Sequence, residues 1–192
     1  MRKLFAFLVL FSPCVGYGAW EGGVGLGLVR MDYANDYLQM LAERLNLEVL
    51  PLRMAWEVNL GAQFFPWLGI RGTLLSSEGG LSGRERASLS ATAFGVEGAF
   101  RIGTPWGAAL EAGVGAFWAW AKGLWEGMGP GFGLEIGVAW PTLEVGPLSL
   151  EIWLSWRWLP IPKLFGAREE ISSRNHPALD FSGLYGGFSL LF

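Results

Sequence analysis

The sequence offers very little for redox, metal or nucleophilic chemistry. Its 192 residues include one cysteine, Cys14, and one histidine, His176. A single thiol excludes an internal disulfide framework, and no spacing of Cys, His, Asp and Glu is typical of a metal site. Pro13 precedes Cys14, where a lipoprotein would have a small residue, so lipid attachment is not expected. A phosphate-binding loop and a nucleophile elbow are also missing, and we therefore expect no cofactor, no metal and no enzyme.

Charge is the second scarce property. The chain has 14 Lys and Arg and 17 Asp and Glu, which together make 16% of its residues, whereas soluble domains contain about a quarter. The formal net charge of −3 gives no basic surface for nucleic acid. Long apolar runs are absent too, because no segment reaches the roughly 18 residues of a transmembrane helix. A chain with 29 Gly and 11 Trp but so little charge is short of polar surface.

The N-terminal stretch has the order of a secretory signal. Arg2 and Lys3 precede the apolar run 4–11, and small residues follow. This order of positive, short apolar and small residues predicts export and removal of the segment. We therefore predict a signal peptide over 1–18 and a single β-barrel domain over 19–192.

Alternation of apolar and polar residues recurs along the rest of the chain. In the segment 148–158, Leu, Ile and Trp occupy every even position, and Glu151 and Arg157 are among the residues between them. A period of two predicts a β-strand with two unlike faces. Such runs predict eight strands: 20–33, 54–64, 68–76, 88–101, 106–121, 131–140, 148–158 and 179–192. In the fourth run the alternation changes phase near Ala93 and Phe94, which predicts a β-bulge.

Two arrangements fit such strands. A soluble sandwich would bury the oily face, whereas a membrane barrel turns it to lipid. The connections favour the membrane barrel, because short turns alternate with long loops, and aromatic residues gather at both ends of the strands. The predicted girdle near the short turns is Phe64, Phe65, Trp67, Phe100, Trp106, Trp140 and Phe192, and the one near the long loops is Tyr33, Trp56, Trp118, Trp120, Trp156 and Trp158. The predicted fold is all-β, an eight-stranded antiparallel up-and-down transmembrane β-barrel.

The last strand carries a more specific pattern. It contains Gly187, Phe188 and Leu190 and ends on Phe192. In this it resembles outer-membrane β-barrel proteins, whose final strand typically has a glycine, alternating hydrophobic residues and a C-terminal phenylalanine that the barrel-assembly machinery recognises. The architecture is similar to that of the transmembrane domain of the outer membrane protein A family. The resemblance implies a monomer in the cell outer membrane, with outer-membrane lipid and the assembly machinery as partners.

Charged residues on the polar faces cluster inside the predicted barrel. The inward-facing set is Glu57, Arg71, Glu97, Glu111, Glu135, Glu151 and Arg157. Carboxylates in a confined space must be paired, hydrated or protonated, and Arg71 and Arg157 are the obvious partners. Because two arginines do not balance the acidic cluster, some carboxylates should be neutral at pH 7. We expect this layer to fill a polar lumen structurally, with a path for protons or cations as the alternative.

The first long loop has a helical pattern. Asp36 begins a segment that is similar to a capping box, and Leu38, Leu41 and Leu45 then recur at helical spacing. These residues predict a short amphipathic helix over 36–46. It would pack over the barrel mouth or lie at the outer headgroup boundary.

Three functions follow from these features. We expect an outer-membrane barrel with a structural or surface-interaction role through its long extracellular loops. One alternative is a narrow pore or a conduit for small hydrophobic molecules, and another is a lipid-modifying barrel enzyme. Barrel enzymes that trim lipid A use a His and a Ser on the lipid-facing wall, but no His-x-Ser-Asn pattern occurs here and Pro177 follows His176. We therefore expect His176 to be a loop residue without a catalytic role.

Overall fold

The computed structural model describes residues 19–65, 67–82, 87–166, 170–172 and 177–192. The predicted signal peptide and His176 lie outside these residues. In chain order the elements are β1 (Trp20–Val29), α1 (Asp32–Leu45), β2 (Glu48–Leu50), β3 (Met54–Phe65), β4 (Leu68–Ser82), β5 (Ala87–Gly103), β6 (Ala109–Gly123), β7 (Gly127–Val145), β8 (Leu148–Trp158), β9 (Pro160–Ile161), β10 (Lys163–Phe165), β11 (Glu170–Ser172), β12 (Leu179–Asp180) and β13 (Gly183–Leu191). Within the described ranges, no helix is long and apolar enough to cross a bilayer.

Eight long strands form a closed ring. Each of β1, β3, β4, β5, β6, β7, β8 and β13 pairs antiparallel with its two neighbours in that order, and β13 pairs with β1. At the seam, the backbone N–H of Trp20 donates to the carbonyl of Phe192 (2.7 Å), and the N–H of Phe192 donates to the carbonyl of Trp20 (2.9 Å). Closure satisfies the backbone groups that a sheet edge would leave unpaired. The predicted eight-stranded antiparallel barrel is confirmed.

The outer surface of this barrel is apolar. Residues at alternate positions point outward, and those on β1 are Val24, Leu26 and Leu28, which are 58%, 58% and 62% exposed. Exposed large apolar side chains recur on every barrel strand, and such a continuous apolar band suits lipid rather than water. Most of the predicted girdle aromatics are exposed on this face. Phe64 is half-buried, and Tyr33 belongs to α1 and stacks on Trp125 with ring centroids 5.7 Å apart.

The strands β4 to β7 extend beyond the apolar band on the side of the long connections. On β4 the outward positions change from Leu74 to Ser76, whose hydroxyl lies 3.1 Å from that of Thr92 on β5. Above this pair the inward residues of β5 are apolar, as at Leu89, and the outward ones carry hydroxyls. The predicted bulge near Ala93 is therefore wrong, because β5 pairs with both neighbours without a register shift. The change in the sequence pattern marks the point where the outward side chains of β5 change from apolar to hydroxyl-bearing, beyond the apolar band.

Register shifts occur elsewhere, beside two short turns. One lies between Gln63 and Phe65 in the pairing of β3 with β4, and the other between Pro141 and Leu143 in that of β7 with β8. A bulge next to a turn bends the strand end and ends the regular ladder.

The helix α1 begins earlier than predicted. It starts at Asp32 and ends at Leu45, and Met31 at its N-terminus makes no side-chain capping hydrogen bond. Asp36 therefore lies inside the helix, and the predicted capping box is wrong. The chain turns at Met31 because this side chain, 1% exposed, packs into the barrel mouth, and a buried contact outweighs a local capping preference.

A charge on the lipid-facing wall should be costly. Leu154 lies in the middle of β8 and is 45% exposed on the apolar band. We expect Leu154→Arg to lower the free energy of unfolding by about 2–4 kcal/mol, because lipid cannot hydrate the guanidinium. Urea unfolding in phospholipid vesicles measures this difference. The matched control is Leu45→Arg on α1, outside the apolar band, and equal losses for the two variants would contradict a lipid-facing wall.

Candidate functional site: the interior of the barrel

At three places a glutamate and an arginine lie directly opposite each other on neighbouring strands, and both side chains face the lumen. The register places Arg71 opposite Glu97, Arg101 opposite Glu111 and Arg157 opposite Glu135. Arg71 Nη2 lies 3.1 Å from Glu97 Oε2, and Arg101 Nη1 lies 3.0 Å from Glu111 Oε1. Arg157 Nη2 donates to Glu135 Oε2. Opposite charges directly across a strand pair attract, so each hairpin brings its own pair together.

The arginines also reach across the lumen and link these pairs. Arg71 Nη2 donates to Glu135 Oε2 at 2.9 Å, and Arg157 Nη2 donates to Glu57 Oε1 at 3.1 Å. Arg101 Nη2 donates to Glu151 Oε1. The result is one continuous network, which we call the charged layer: Glu57, Arg71, Glu97, Arg101, Glu111, Glu135, Glu151 and Arg157.

Every residue of the predicted interior set lies in the charged layer, but Arg101 was not predicted. The expectation that Arg71 and Arg157 are the only counter-charges is therefore wrong. Arg101 is four residues after Glu97 on the same strand, and hence on the same face. The short turn between β5 and β6 places Glu111 opposite Arg101. The equal spacing of the two residues from this turn could have identified the pair.

The charged layer is deeply buried. The side chain of Arg157 is 0% exposed, and those of Glu57, Glu97 and Glu135 are at most 3% exposed. Removing one partner of a buried ion pair leaves a charge that neither water nor protein solvates. The layer therefore depends most on the pairing of its buried members, and its ion pairs extend across the lumen from wall to wall.

A small polar vestibule lies on the short-turn side of the layer. Its cavity is about 20 Å³, enough for one water molecule. Among its lining residues are Glu21, Gln63, Arg71, Arg101 and Glu111. Glu21 adds a further inward carboxylate on β1, so carboxylates outnumber guanidinium groups at this end of the barrel.

The lumen on the other side of the charged layer is apolar. Its buried side chains, all at most 3% exposed, are Leu75, Leu89, Phe117, Leu159, Ile161, Leu164, Leu179, Phe181 and Tyr185. The charged part of the filling that was predicted for the whole lumen is thus concentrated in the half near the short turns. Tyr185 joins the two halves, because its ring lies 5.0 Å from the guanidinium carbon of Arg157 and its hydroxyl donates to the carbonyl of Phe181 at 2.7 Å.

Inward-facing glycines make room for the rings that fill the lumen. A Cβ on Gly27 would lie 2.3 Å from the ring of Tyr185, and a Cβ on Gly95 would lie 2.3 Å from the ring of Phe117. Such distances are far below van der Waals contact. The high glycine content is therefore a packing requirement of a narrow barrel whose interior holds large aromatic side chains.

A substitution at such a glycine should disrupt the packing. We expect Gly27→Val to destabilise the barrel by about 1–3 kcal/mol or more, because the new side chain overlaps the Tyr185 ring. Gly72→Val is the control, since the nearest atom to a Cβ there is 3.7 Å away, and it should change stability by less than about 0.5 kcal/mol. Urea unfolding of both variants in the same vesicles tests the difference, and a tolerated Gly27→Val would show that the ring can move aside.

The helix α1 closes the mouth on the side of the long connections. Ala34, Leu38 and Ala42 face the barrel and are buried. Asn35 fixes one flank, because its amide donates to the carbonyl of Leu52 (3.1 Å) and accepts from the N–H of Leu52 (2.8 Å). The ring of Tyr37 stacks on Trp125 at 5.2 Å between centroids. Of the two placements expected for this helix, the structure shows packing over the mouth.

One titratable group lies in the segment that closes the mouth beside α1. Burial raises the pKa of the Asp180 carboxyl above its ordinary value, although the N–H of Ser182 donates to this carboxyl at 2.9 Å. Ser182 also accepts a hydrogen bond from the N–H of Leu159 at 2.9 Å. These contacts hold β9 and β12 against the apolar half of the lumen.

Comparison with known proteins gives structural neighbours but no family. No protein-family model matches the sequence, and no curated protein matches it. The neisserial surface protein A (NspA) structure aligns with a TM-score of 0.51 at 7% identity, over 91% of this chain and 94% of that one. Ail of Yersinia pestis aligns with a TM-score of 0.43 at 12% identity, covering 91% and 94% of the two chains. OprG of Pseudomonas aeruginosa gives 0.44 at 10% identity over 91% and 95%.

The likeness to NspA concerns the fold. At 7% identity it carries over no residue role. Together with the closed ring of strands and the apolar outer band, it shows that this chain has the fold of the small eight-stranded outer-membrane β-barrels.

Proposed function

We propose that this protein is an integral, non-enzymatic barrel of the cell outer membrane that does not conduct and that interacts at the cell surface through its closed outer end. The single observation that carries this proposal is the charged layer, in which three arginines bridge five glutamates from one wall of the lumen to the other. A lumen filled in this way serves stability rather than passage.

The proposed orientation places the short turns in the periplasm and the long connections outside. Small barrels of the outer membrane have short periplasmic turns and longer extracellular loops. β4 begins at Leu68, close after the end of β3 at Phe65, whereas α1 and β2 fill the connection between β1 and β3. With this orientation, α1 and the segments around β9 and β12 present a packed surface to the exterior.

Conductance in planar bilayers tests the proposal. We expect the wild-type barrel to be silent across repeated insertions, and Glu111→Gln to be equally silent, because glutamine keeps the shape of the side chain and removes one charge. A steady cation-selective current in the wild type, abolished by Glu111→Gln, would overturn the proposal.

The competing function is a narrow path for protons or cations. The observation that favours it is the excess of carboxylates, since five glutamates of the layer and Glu21 face only three arginines. A closed, weakly hydrated lumen cannot hold such an excess unless some groups bind protons or cations. In the proposed function those protons stay bound, whereas in a conducting barrel they exchange across the layer.

The two other functions have weaker support. A conduit for small hydrophobic molecules would use the apolar half of the lumen, but the charged layer lies between that half and the short turns. A lipid-modifying enzyme would depend on His176, which lies outside the described residues, and the sequence lacks the His-x-Ser-Asn pattern. We therefore keep the surface role as the proposal.

We propose further that outer-membrane lipid and the barrel-assembly machinery are the partners of a monomeric barrel. Phe192 supports this role, because its side chain is 51% exposed on the outer face while its backbone closes the seam with Trp20. A terminal aromatic residue that stays accessible at the seam is suited to recognition during insertion.

A further inference from the structure

A groove runs along the flank of α1, between the helix and the segment that leads into β3. Two cavities of about 430 and 530 Å³ open on either side of Asn35 and Arg53, and both residues line both cavities. Volumes of this size are typical of sites for small molecules and headgroups. Since Asn35 is held by its two hydrogen bonds to Leu52, the floor of the groove is already ordered.

The groove lies directly above the lipid-facing surface. On β1 the outward column of apolar residues ends at Leu28, and the next outward position is Arg30. Leu28 pairs with Met54 on β3, and Arg53 immediately precedes Met54. Two guanidinium groups therefore follow the last lipid-facing pair, at the depth where lipid headgroups begin.

Both arginines are available to a ligand. The ion pair between Arg30 and Asp32 is 3.4 Å long, and the two side chains are 66% and 50% exposed. Such an exposed pair contributes little to stability, so Arg30 can exchange Asp32 for another anion. Arg53 makes no ion pair with a carboxylate of the described residues. A guanidinium group presents parallel N–H donors that match the oxygens of a phosphate.

The other wall of the groove has a different chemistry. The larger cavity is lined by the polar side chains of Gln39, Glu43 and Asn46, and the smaller one by Asp32 and Asp36. Amide and carboxylate oxygens accept hydrogen bonds from sugar hydroxyls. Asp32 and Asp36 balance Arg30 and Arg53 in the smaller cavity, and Glu43 adds one acidic group in the larger one. The groove therefore holds at most one phosphate, beside several hydroxyls, and does not suit a polyanion.

We infer that this groove binds the phosphorylated sugar headgroup of a glycolipid in the outer leaflet. Arg30 and Arg53 contact the phosphate, and Gln39 and Asn46 contact the sugar. The acyl chains lie along the apolar outer face of β1 and β3. This inference rests on the proposed membrane orientation and is independent of whether the charged layer conducts.

Binding to the refolded barrel in detergent micelles tests the inference without reference to orientation or conductance. The probes are monophosphorylated lipid A and the same lipid after removal of its phosphate, and affinity is measured by native mass spectrometry. We expect the wild type to bind the phosphorylated lipid at least about tenfold more tightly than the dephosphorylated one. Equal affinity for the two lipids would overturn the inference, even if no variant could be refolded.

The variants locate the site. Arg30→Gln combined with Arg53→Gln should weaken binding of the phosphorylated lipid by about tenfold or more. Arg44→Gln is the matched control, because Arg44 is an exposed basic residue of α1 that lines neither cavity, and its affinity should equal that of the wild type. An equal loss in the control would overturn the assignment. Displacement of the lipid by inorganic phosphate as effectively as by glucosamine 1-phosphate would do so too, since it would indicate a site for a free anion.

Discussion

Replacement of Arg157 by methionine is expected to lower the free energy of unfolding by about 3–5 kcal/mol, which is the usual cost of removing one partner of a buried ion pair. Arg157 is fully buried and donates to Glu135 and Glu57. Methionine fills a similar volume, so the loss of stability comes from the two carboxylates that are left without a counter-charge and not from a cavity. Urea unfolding in vesicles, followed by tryptophan fluorescence, measures the change.

Two further variants identify the cause. Adding Glu57→Gln and Glu135→Gln to Arg157→Met should recover part of the loss, because the stranded charges are then neutral. Arg101→Met is the control within the same layer, since the side chains of Arg101 and Glu111 are 18% and 15% exposed and water can solvate Glu111 in its place. Only Glu151, which is 5% exposed, is then left buried, so a smaller loss of stability is expected. A loss at Arg101 as large as that at Arg157 would show that burial does not set the cost.

Leu38→Asp should release α1 from the barrel mouth while the barrel itself stays folded. The side chain of Leu38 is 0% exposed against the apolar half of the lumen, and truncation of such a residue alone costs about 2–5 kcal/mol. A buried carboxylate costs more. The helix is held at the end of the barrel by side-chain contacts and two hydrogen bonds of Asn35, so it can leave without breaking the strand ladders.

Limited proteolysis measures this release. Trypsin should cut at Arg44, in the last turn of α1, at least about tenfold faster in Leu38→Asp than in the wild type. Met40→Asp is the control, because Met40 lies on the same helix and is 39% exposed. The released variant should still be silent in planar bilayers, since the charged layer lies below the helix. A current that appears only in Leu38→Asp would show that α1, rather than the charged layer, closes the barrel.

The strand pattern was accessible to sequence analysis because a period of two is a local property. Lipid on one side and a narrow lumen on the other impose opposite polarity on alternate residues, so the faces of Glu57, Glu97 and Glu151 followed from their neighbours alone. Element ends were less accessible. The end of β1 and the start of α1 depend on the burial of Met31 in the mouth, a contact with distant parts of the chain.

Inside the barrel, the sequence determined which residues face one another only across short hairpins. Arg101 and Glu111 are ten residues apart, and the turn between them sets their register. Arg157 and Glu57 are 100 residues apart, and their contact exists only because β8 and β3 approach each other across a closed ring. The same closure pairs Gly27 with the ring of Tyr185 and separates an apolar half of the lumen from a charged one.

The sequence by itself determined that this chain forms eight amphipathic strands with an apolar outer face, a charged interior and an aromatic residue at the end of the last strand. Only the tertiary structure decided which carboxylate each arginine contacts, that α1 covers the mouth and that Arg30 and Arg53 share one groove. The physical reason is the distance along the chain over which each feature is determined. Strand polarity follows from solvation at each position, whereas ion pairs across the lumen, ring-to-glycine packing and the docking of α1 arise when barrel closure brings distant segments within a few ångströms.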